Sequence, residues 1–214
     1  MDTKPLVSPA DIKALREQTG AGVMDCKRAL EASGGDFEAA AAFLRQKGLA
    51  TAREKADRVA REGVIASYIH HGSRLGVLLE LNCETDFVAR TDDFQQLARE
   101  LAIQVAGFEP KWIDRVDVPA ELVAAQRERL QAESVTRGES SETAAEYVDR
   151  QLDHWFESVC LLEMAYRGTD RKVRDLITEK ISVMGENIRV ARFVRMAVGE
   201  TAADPDREAL RPGA

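Results

Sequence analysis

The spacing of apolar residues changes from helical to alternating near residue 62, and this change is the strongest constraint on the fold. Up to about Glu62 the apolar residues recur at helical intervals, whereas from there to Cys83 they alternate with a period of two. Val64–Ile69 and Leu75–Cys83 flank the turn-forming segment 70–74, and this pattern is typical of a β-hairpin. In its second arm one face carries Leu75, Val77, Leu79, Leu81 and Cys83, so one side of the sheet is predicted to be buried. The segment Asn187–Val198 is rich in β-branched residues and is predicted to be a third strand.

The residues before this change are predicted to form a compact N-terminal module, residues 1–50, of three short helices. Glycine-containing breaks separate the helices, Asp36 is expected to cap the third one, and Gly48 is expected to end it. The charged segment 51–62 has too little apolar surface for a core element. It is therefore predicted to be a helical linker.

Residues 63–199 are predicted to form a core and dimerisation domain, and residues 200–214 a flexible tail. A helix after Thr91 is expected to pack on the sheet, and a last helix is expected over Asp170–Met184. Between them, residues 110–162 are predicted to form a helical hairpin whose second arm has a heptad-like apolar seam. The seam consists of Val148, Leu152, Trp155, Val159 and Leu162. It must meet either another helix or a second copy of the chain. The expected fold class is α+β, with a small antiparallel three-stranded sheet packed with helices.

Composition excludes several classes of protein. The 214 residues carry a formal charge of −7, which argues against a nucleic-acid coat or a binder of anionic membranes, because both usually have a basic excess. Three cysteines far apart form neither a disulfide framework nor a zinc site. The first residues lack a signal-peptide pattern, and no apolar stretch approaches the roughly 20 residues of a membrane span. A cytoplasmic location is expected, with another protein or a small ligand as the partner.

The usual motifs of enzymes are missing from the sequence, which contains no glycine-rich phosphate loop, no HExxH and no CxxC. His70 and His71 fall in the predicted hairpin turn, where solvated side chains are more common than a metal pair. Cys83 ends a predicted inward-facing row, where it is more simply a core residue than a nucleophile. We therefore expect no enzymatic activity, no metal and no cofactor.

Two places in the sequence allow both a structural and a functional interpretation. Val23 and Met24 follow a glycine turn, where they are either ordinary core residues or an apolar contact surface. The segment 82–90 connects a buried strand to a capped helix, and short connections of this kind often carry function. In the simpler view Phe87 and Val88 only fill the junction between sheet and helix.

Three separated stretches of the sequence match one family in the same order. Residues 15–30, which read LREQTGAGVMDCKRAL, resemble the N-terminal UBA-like module of bacterial elongation factor Ts. The segment 82–90 is similar to the hallmark loop of that family, with Thr85-Asp86-Phe87-Val88 at its centre. Residues 184–193, MGENIRVARF, match its final helix-to-strand passage, and Val198–Glu200 its usual ending. The resemblance covers about residues 8–107 and 155–200.

The resemblance implies a guanine nucleotide exchange factor for elongation factor Tu, which promotes GDP release during translation elongation. In that family the Asp-Phe pair wedges into the GTPase beside its Mg²⁺ and phosphate site. The corresponding residues here are Asp86 and Phe87, and the loop that carries them is shaped by Thr85 and Val88. The N-terminal module is implied to dock on a neighbouring helix of the GTPase. The residues that the resemblance implies for this contact are Leu15, Val23 and Met24.

The sequence departs from many relatives because it has one core half where they have two. Short members of the family work as homodimers, so a homodimer is expected. The apolar-aromatic stretch that is usual in the family is also lost near residues 163–167. The alternative from another class is a UBA-like adaptor that binds a helix or a ubiquitin-like partner through Val23 and Met24 without any effect on nucleotide. A hydrolase using Cys83 or the histidines would need a triad spacing that the sequence lacks.

Overall fold

The computed structural model describes residues 7–138 and 140–200, without the side chains of residues 141 and 142. The fold is mixed α+β, as predicted, with N-terminal helices, an antiparallel three-stranded sheet and further helices. The predicted flexible tail lies outside the described residues except for Glu200. In the part of the chain that is described, no helix is both long and apolar enough to cross a membrane.

The elements follow one another in the predicted order. The helices are α1 Pro9–Thr19, α2 Val23–Ala32, α3 Phe37–Lys55, α4 Asp86–Ala89, α5 Asp92–Phe108, α6 Ala120–Thr136, α7 Ser141–Val159 and α8 Val173–Met184. The strands are β1 Glu62–Ile69, β2 Leu75–Cys83 and β3 Arg189–Ala197, in the sheet order β1-β2-β3. Short 3₁₀ turns lie at Arg115–Asp117 and Tyr166–Gly168.

The predicted hairpin and its buried face are confirmed. Val77, Leu79, Leu81 and Cys83 of β2 are all almost fully buried, because alternate residues of a strand face the same side. Gly63 of β1 is required by geometry, since a Cβ there would lie 2.1 Å from the carbonyl oxygen of Leu81. The sequence of β1 therefore needs glycine where its backbone approaches β2.

The three N-terminal helices begin where the sequence predicts. Ser8 caps α1 in a capping box with Asp11, and Gly20 ends the helix in the left-handed conformation with a φ of 68°. Asp36 caps α3 by accepting a hydrogen bond from the backbone of Ala39. Their shared core consists of Leu15, Cys26, Ala29, Leu30, Ala40, Ala41 and Leu44.

The prediction of a separate linker helix over 51–62 is wrong, because α3 continues through Gly48 to Lys55. Gly48 lies inside α3 and is not a helix end. A Cβ on it would lie 3.6 Å from the Cβ of Ser182 in α8. The residues after Gly48 are good helix formers, so nothing in them stops the helix. The chain then passes from Lys55 through a short turn to β1.

The described residues divide into two compact units. The first contains the residues up to Val64 together with Leu81–Gln95 and Asp175–Arg189. It therefore combines the predicted N-terminal module with two segments of the predicted core domain. The second contains Ile65–Glu80, Gln96–Arg174 and the residues from Val190 onward.

The helical hairpin of the second unit consists of α6 and α7. The predicted seam is buried within the chain, where Val148 and Leu152 of α7 pack in one core cluster with Leu130 of α6. Trp155 and Val159 pack against the same cluster while remaining partly exposed. Of the two partners that the sequence allowed for this seam, the helix of the same chain is the one observed.

The connection between α7 and α8 is held by one buried carboxylate and three partly exposed cations. Glu163 is 6% exposed and accepts hydrogen bonds from Arg115, Lys172 and Arg174 at 2.9, 3.1 and 2.9 Å. Burial by itself raises the pKa of the Glu163 carboxyl, but these hydrogen bonds outweigh it and lower the pKa to about 2. Gln104 adds hydrogen bonds to the backbone of the same connection. Where the sequence lacks the usual apolar-aromatic stretch, polar contacts therefore hold the segment.

Candidate partner-binding site

The segment after β2 forms one turn of helix, α4, within the short connection that the sequence predicts. Thr85 is its N-cap, with an extended backbone and a side chain that accepts a hydrogen bond from the backbone N–H of Val88 at 3.4 Å. The hydroxyl of Thr91 donates to the carbonyl of Val88 at 2.8 Å and so closes the other end. The turn is anchored by buried residues on both sides, Cys83 at the end of β2 and Ala89 at the end of α4.

The carboxylate of Glu186 holds the beginning of this turn. One oxygen accepts hydrogen bonds from the backbone N–H groups of Glu84 and Thr85, at 3.1 and 3.0 Å. The other oxygen accepts from the Thr85 hydroxyl at 2.6 Å. Hydrogen bonds to a charged acceptor are stronger than neutral ones. The backbone that precedes Asp86 and Phe87 is therefore fixed by a residue more than a hundred positions away.

The four predicted loop residues divide into two kinds. Asp86 and Phe87 are exposed, and the exposed fraction of Phe87 reaches 78%. Asp86 forms an ion pair with Arg90 one turn later, at 2.7 Å. Val88 is buried and Thr85 caps the turn. The interpretation that Phe87 and Val88 together fill the sheet–helix junction is thus wrong for Phe87, whose ring lies mostly in solvent.

The N-terminal residues nominated for contact do not all reach the surface. Val23 and Met24, in the first turn of α2, are 48% and 62% exposed. The nomination of Leu15 as a contact residue is wrong, because its side chain is fully buried in the core of the three helices. A buried side chain can support the surface that carries Val23 and Met24 but cannot touch a partner. Of the two interpretations of Val23 and Met24, the structure favours an apolar contact surface over ordinary core.

Cys83 has the environment of a core residue. It is fully buried, and its thiol donates a hydrogen bond to the carbonyl of Thr85 at 3.1 Å. Burial, with a smaller contribution from the charge of Glu186, raises the pKa of the Cys83 thiol to about 11. A thiol in this state is a poor nucleophile at neutral pH. Among the described residues, no group of three or more acidic, histidine or cysteine side chains could hold a metal ion.

Comparison with known proteins supports the resemblance of the sequence. A family model described as elongation factor TS matches residues 49–200. The chain belongs to the elongation factor Ts family. Its relatives include elongation factor Ts of Carboxydothermus hydrogenoformans, 48% identical over 95% of this chain and 94% of the relative. That of Moorella thermoacetica is 49% identical over 91% and 97%, and that of Thermotoga petrophila 51% identical over 90% and 96%.

Membership of the elongation factor Ts family makes this chain a translation elongation factor. Sequence reasoning missed two features of the site, the cap formed by Thr85 and the contribution of Glu186. The cap could have been found from the sequence, because threonine is a preferred N-cap residue that accepts from a backbone N–H two or three residues later. The second had no local signal, since Glu186 meets the turn only through the fold.

Proposed function

We propose that the chain is a guanine nucleotide exchange factor that accelerates GDP release from elongation factor Tu. The observation that carries this proposal is Phe87, a large apolar side chain exposed on a turn whose backbone is tied down on both sides. Exposed aromatic residues on rigid segments are typical anchors of protein interfaces. The factor would act by binding and would make or break no covalent bond.

The mechanism follows from how a GTPase holds its nucleotide. Phosphates sit in a nest of backbone N–H groups, and a bound Mg²⁺ is often the largest local charge. In our proposal Phe87 inserts between elements of the GTPase next to this site, while Asp86 brings a carboxylate close to it. Inserting a ring that is already positioned costs little conformational entropy. The binding energy of the factor can then be used to disturb the contacts of Mg²⁺ and phosphate.

The N-terminal module supplies a second contact in this proposal. Val23 and Met24 offer an exposed apolar surface beside the glycine break between α1 and α2. Such a surface suits the apolar side of a helix on the partner. Contact at both places would orient the factor so that Phe87 meets the nucleotide site. The proposed place of action is the cytoplasm, where translation elongation occurs.

We also propose that the chain works as a homodimer. The sheet exposes apolar side chains on the face opposite the buried residues of β2, and such patches mark interaction surfaces. They are Ile65, Ile69, Leu78, Val194 and Met196, each more than half exposed. A second copy of the same face would cover them through a two-fold interface. A monomer in light scattering at working concentration would refute this part.

Stopped-flow release of a fluorescent GDP from elongation factor Tu tests the exchange proposal. Wild-type protein is expected to accelerate release strongly, and Phe87→Ala is expected to reduce the acceleration by at least about tenfold, as for an interface hot spot. Val135→Ala is the matched control, because Val135 is 76% exposed on α6 and lies outside the proposed contacts. Acceleration that survives in Phe87→Ala would refute the role of the ring. If the wild type has no effect on release, the adaptor interpretation takes its place.

A further inference from the structure

Glu186 holds the start of α4 by hydrogen bonds, and the proposed function gives this residue no role so far. It directly follows Gly185, whose left-handed backbone ends α8 with a φ of 76°. Its two carboxylate oxygens accept from two backbone N–H groups and one hydroxyl at the start of α4. All the residues of this contact belong to the first compact unit.

The contact is reciprocal. The carboxylate of Glu84 accepts a hydrogen bond from the backbone N–H of Asn187 at 2.7 Å, so each strand-end segment caps the other. The side chain of Asn187 is buried and donates to the carbonyls of Ala56 and Arg58, at 3.2 and 2.8 Å. The segment that carries Glu186 is therefore itself fixed, through the hydrogen bonds of Asn187.

Phe87 has little packing of its own to hold it, because most of its surface is exposed. Its direction must come from the backbone of α4, and a helix of one turn is not stable by itself in water. The hydrogen bonds to Glu186 are charge-assisted and hence among the stronger contacts available to this backbone. Fixing α4 through its first residues fixes where the ring of Phe87 points.

We infer that Glu186 is a positioning residue for nucleotide exchange, which holds Phe87 in the orientation that the partner requires. The inference rests on the proposed exchange function and extends it to a residue that does not itself face the GTPase in this scheme. A residue that acts through Phe87 must lose its effect when Phe87 is removed. A residue with only a general structural role keeps its effect in either background.

The experiment is a double-mutant cycle read out by GDP release at saturating factor. Glu186→Ala is expected to lower the maximal release rate by about tenfold, the size expected for lost hydrogen bonds to a charged group. The factor concentration that gives half the maximal rate should change less than about twofold, because Val23 and Met24 still bind. In the Phe87→Ala background, Glu186→Ala should cost less than about twofold. An equal cost in both backgrounds, or no cost in the wild type, would overturn the inference.

The conservative variant Glu186→Gln separates geometry from charge. Its amide oxygen can accept from the backbone N–H groups of Glu84 and Thr85, and its amide nitrogen can donate to the Thr85 hydroxyl oxygen. It is expected to keep the release rate within about threefold of the wild type, since the bonds persist without their charge. A loss of release rate as large as that in Glu186→Ala would show that Glu186 does not act by fixing the geometry of the turn.

Hydrogen exchange of the free protein tests the same contact without any partner. The amides of Glu84 and Thr85 should exchange faster in Glu186→Ala and at the wild-type rate in the control Glu128→Ala, an exposed residue of α6. Unchanged protection of these two amides in Glu186→Ala would show that Glu186 does not hold the start of α4. If wild-type protein fails to accelerate GDP release, both the proposed function and the exchange role of Glu186 are refuted. The exchange rates of the Glu84 and Thr85 amides then still show whether Glu186 holds the start of α4.

Discussion

Replacing Glu163 by glutamine is expected to destabilise the second unit by about 3 kcal/mol at neutral pH. The folded protein lowers the pKa of this carboxyl from 4.5 to about 2, and one pKa unit corresponds to about 1.4 kcal/mol of differential interaction. Glu163→Gln keeps the shape of the side chain but removes the charge that faces Arg115, Lys172 and Arg174. Removing the charge of this buried carboxylate is costly because three partly exposed cations lose the acceptor that they share.

The sign of the pH dependence follows from the direction of the shift. Because the pKa of Glu163 is lower in the folded state, its contribution is fully present above the unfolded value of 4.5 and is lost as the pH falls through about 2. The stability difference between wild type and Glu163→Gln should therefore be largest at neutral pH. It should narrow progressively between about pH 5 and pH 2.

Urea unfolding followed by tryptophan fluorescence is a suitable assay. Both tryptophans of the chain, Trp112 and Trp155, belong to the hairpin cluster of the same unit. Glu128→Gln is the control, since Glu128 is exposed on α6 and its replacement should change the free energy of unfolding by less than about 0.5 kcal/mol. A difference for Glu163→Gln below about 1 kcal/mol, or one that stays constant down to pH 2, would refute the reasoning.

Two further predictions concern burial. Burial raises the pKa of Cys83 to about 11 and that of Cys160 to about 12, so alkylation by iodoacetamide at pH 8 should be slow in the native state and complete in urea. Rapid native labelling of either thiol would contradict this. Leu15→Ala should destabilise the protein by about 2–5 kcal/mol, as expected for a buried leucine, whereas Met24→Ala should change stability by less than about 0.5 kcal/mol. Comparable unfolding midpoints for the two variants would show that Leu15 is not a core residue.

The sequence was sufficient for features that depend on local chemistry. Ser8 and Asp36 cap helices where the sequence predicts caps, and the period of two located both arms of the hairpin. Gly48 shows where prediction from local sequence fails. A glycine does not end a helix by itself, because the residues after it must also leave the helical conformation. The residues after Gly48 continue the helix, so α3 runs through this glycine to Lys55.

The candidate site was only partly predictable for a related reason. The exposure of Phe87 and Met24 agrees with the contacts that the family resemblance implies. Leu15 belongs to the apolar stripe of its own helix, and the resemblance could not reveal that its side chain points into the core. Glu186 could not be found from the sequence at all, because its partner Thr85 is 101 residues away and only the fold brings them together.

As an exchange factor, the chain is expected to weaken the binding of GDP to elongation factor Tu, and GDP to weaken the binding of the chain. Titration calorimetry can measure the affinity of the chain for the nucleotide-free GTPase and for its GDP complex. Linkage requires that GDP weaken the factor by the same multiple as the factor weakens GDP, and we expect at least about tenfold. Equal affinity for the two forms would contradict the account, because a protein that binds both states equally cannot displace the nucleotide.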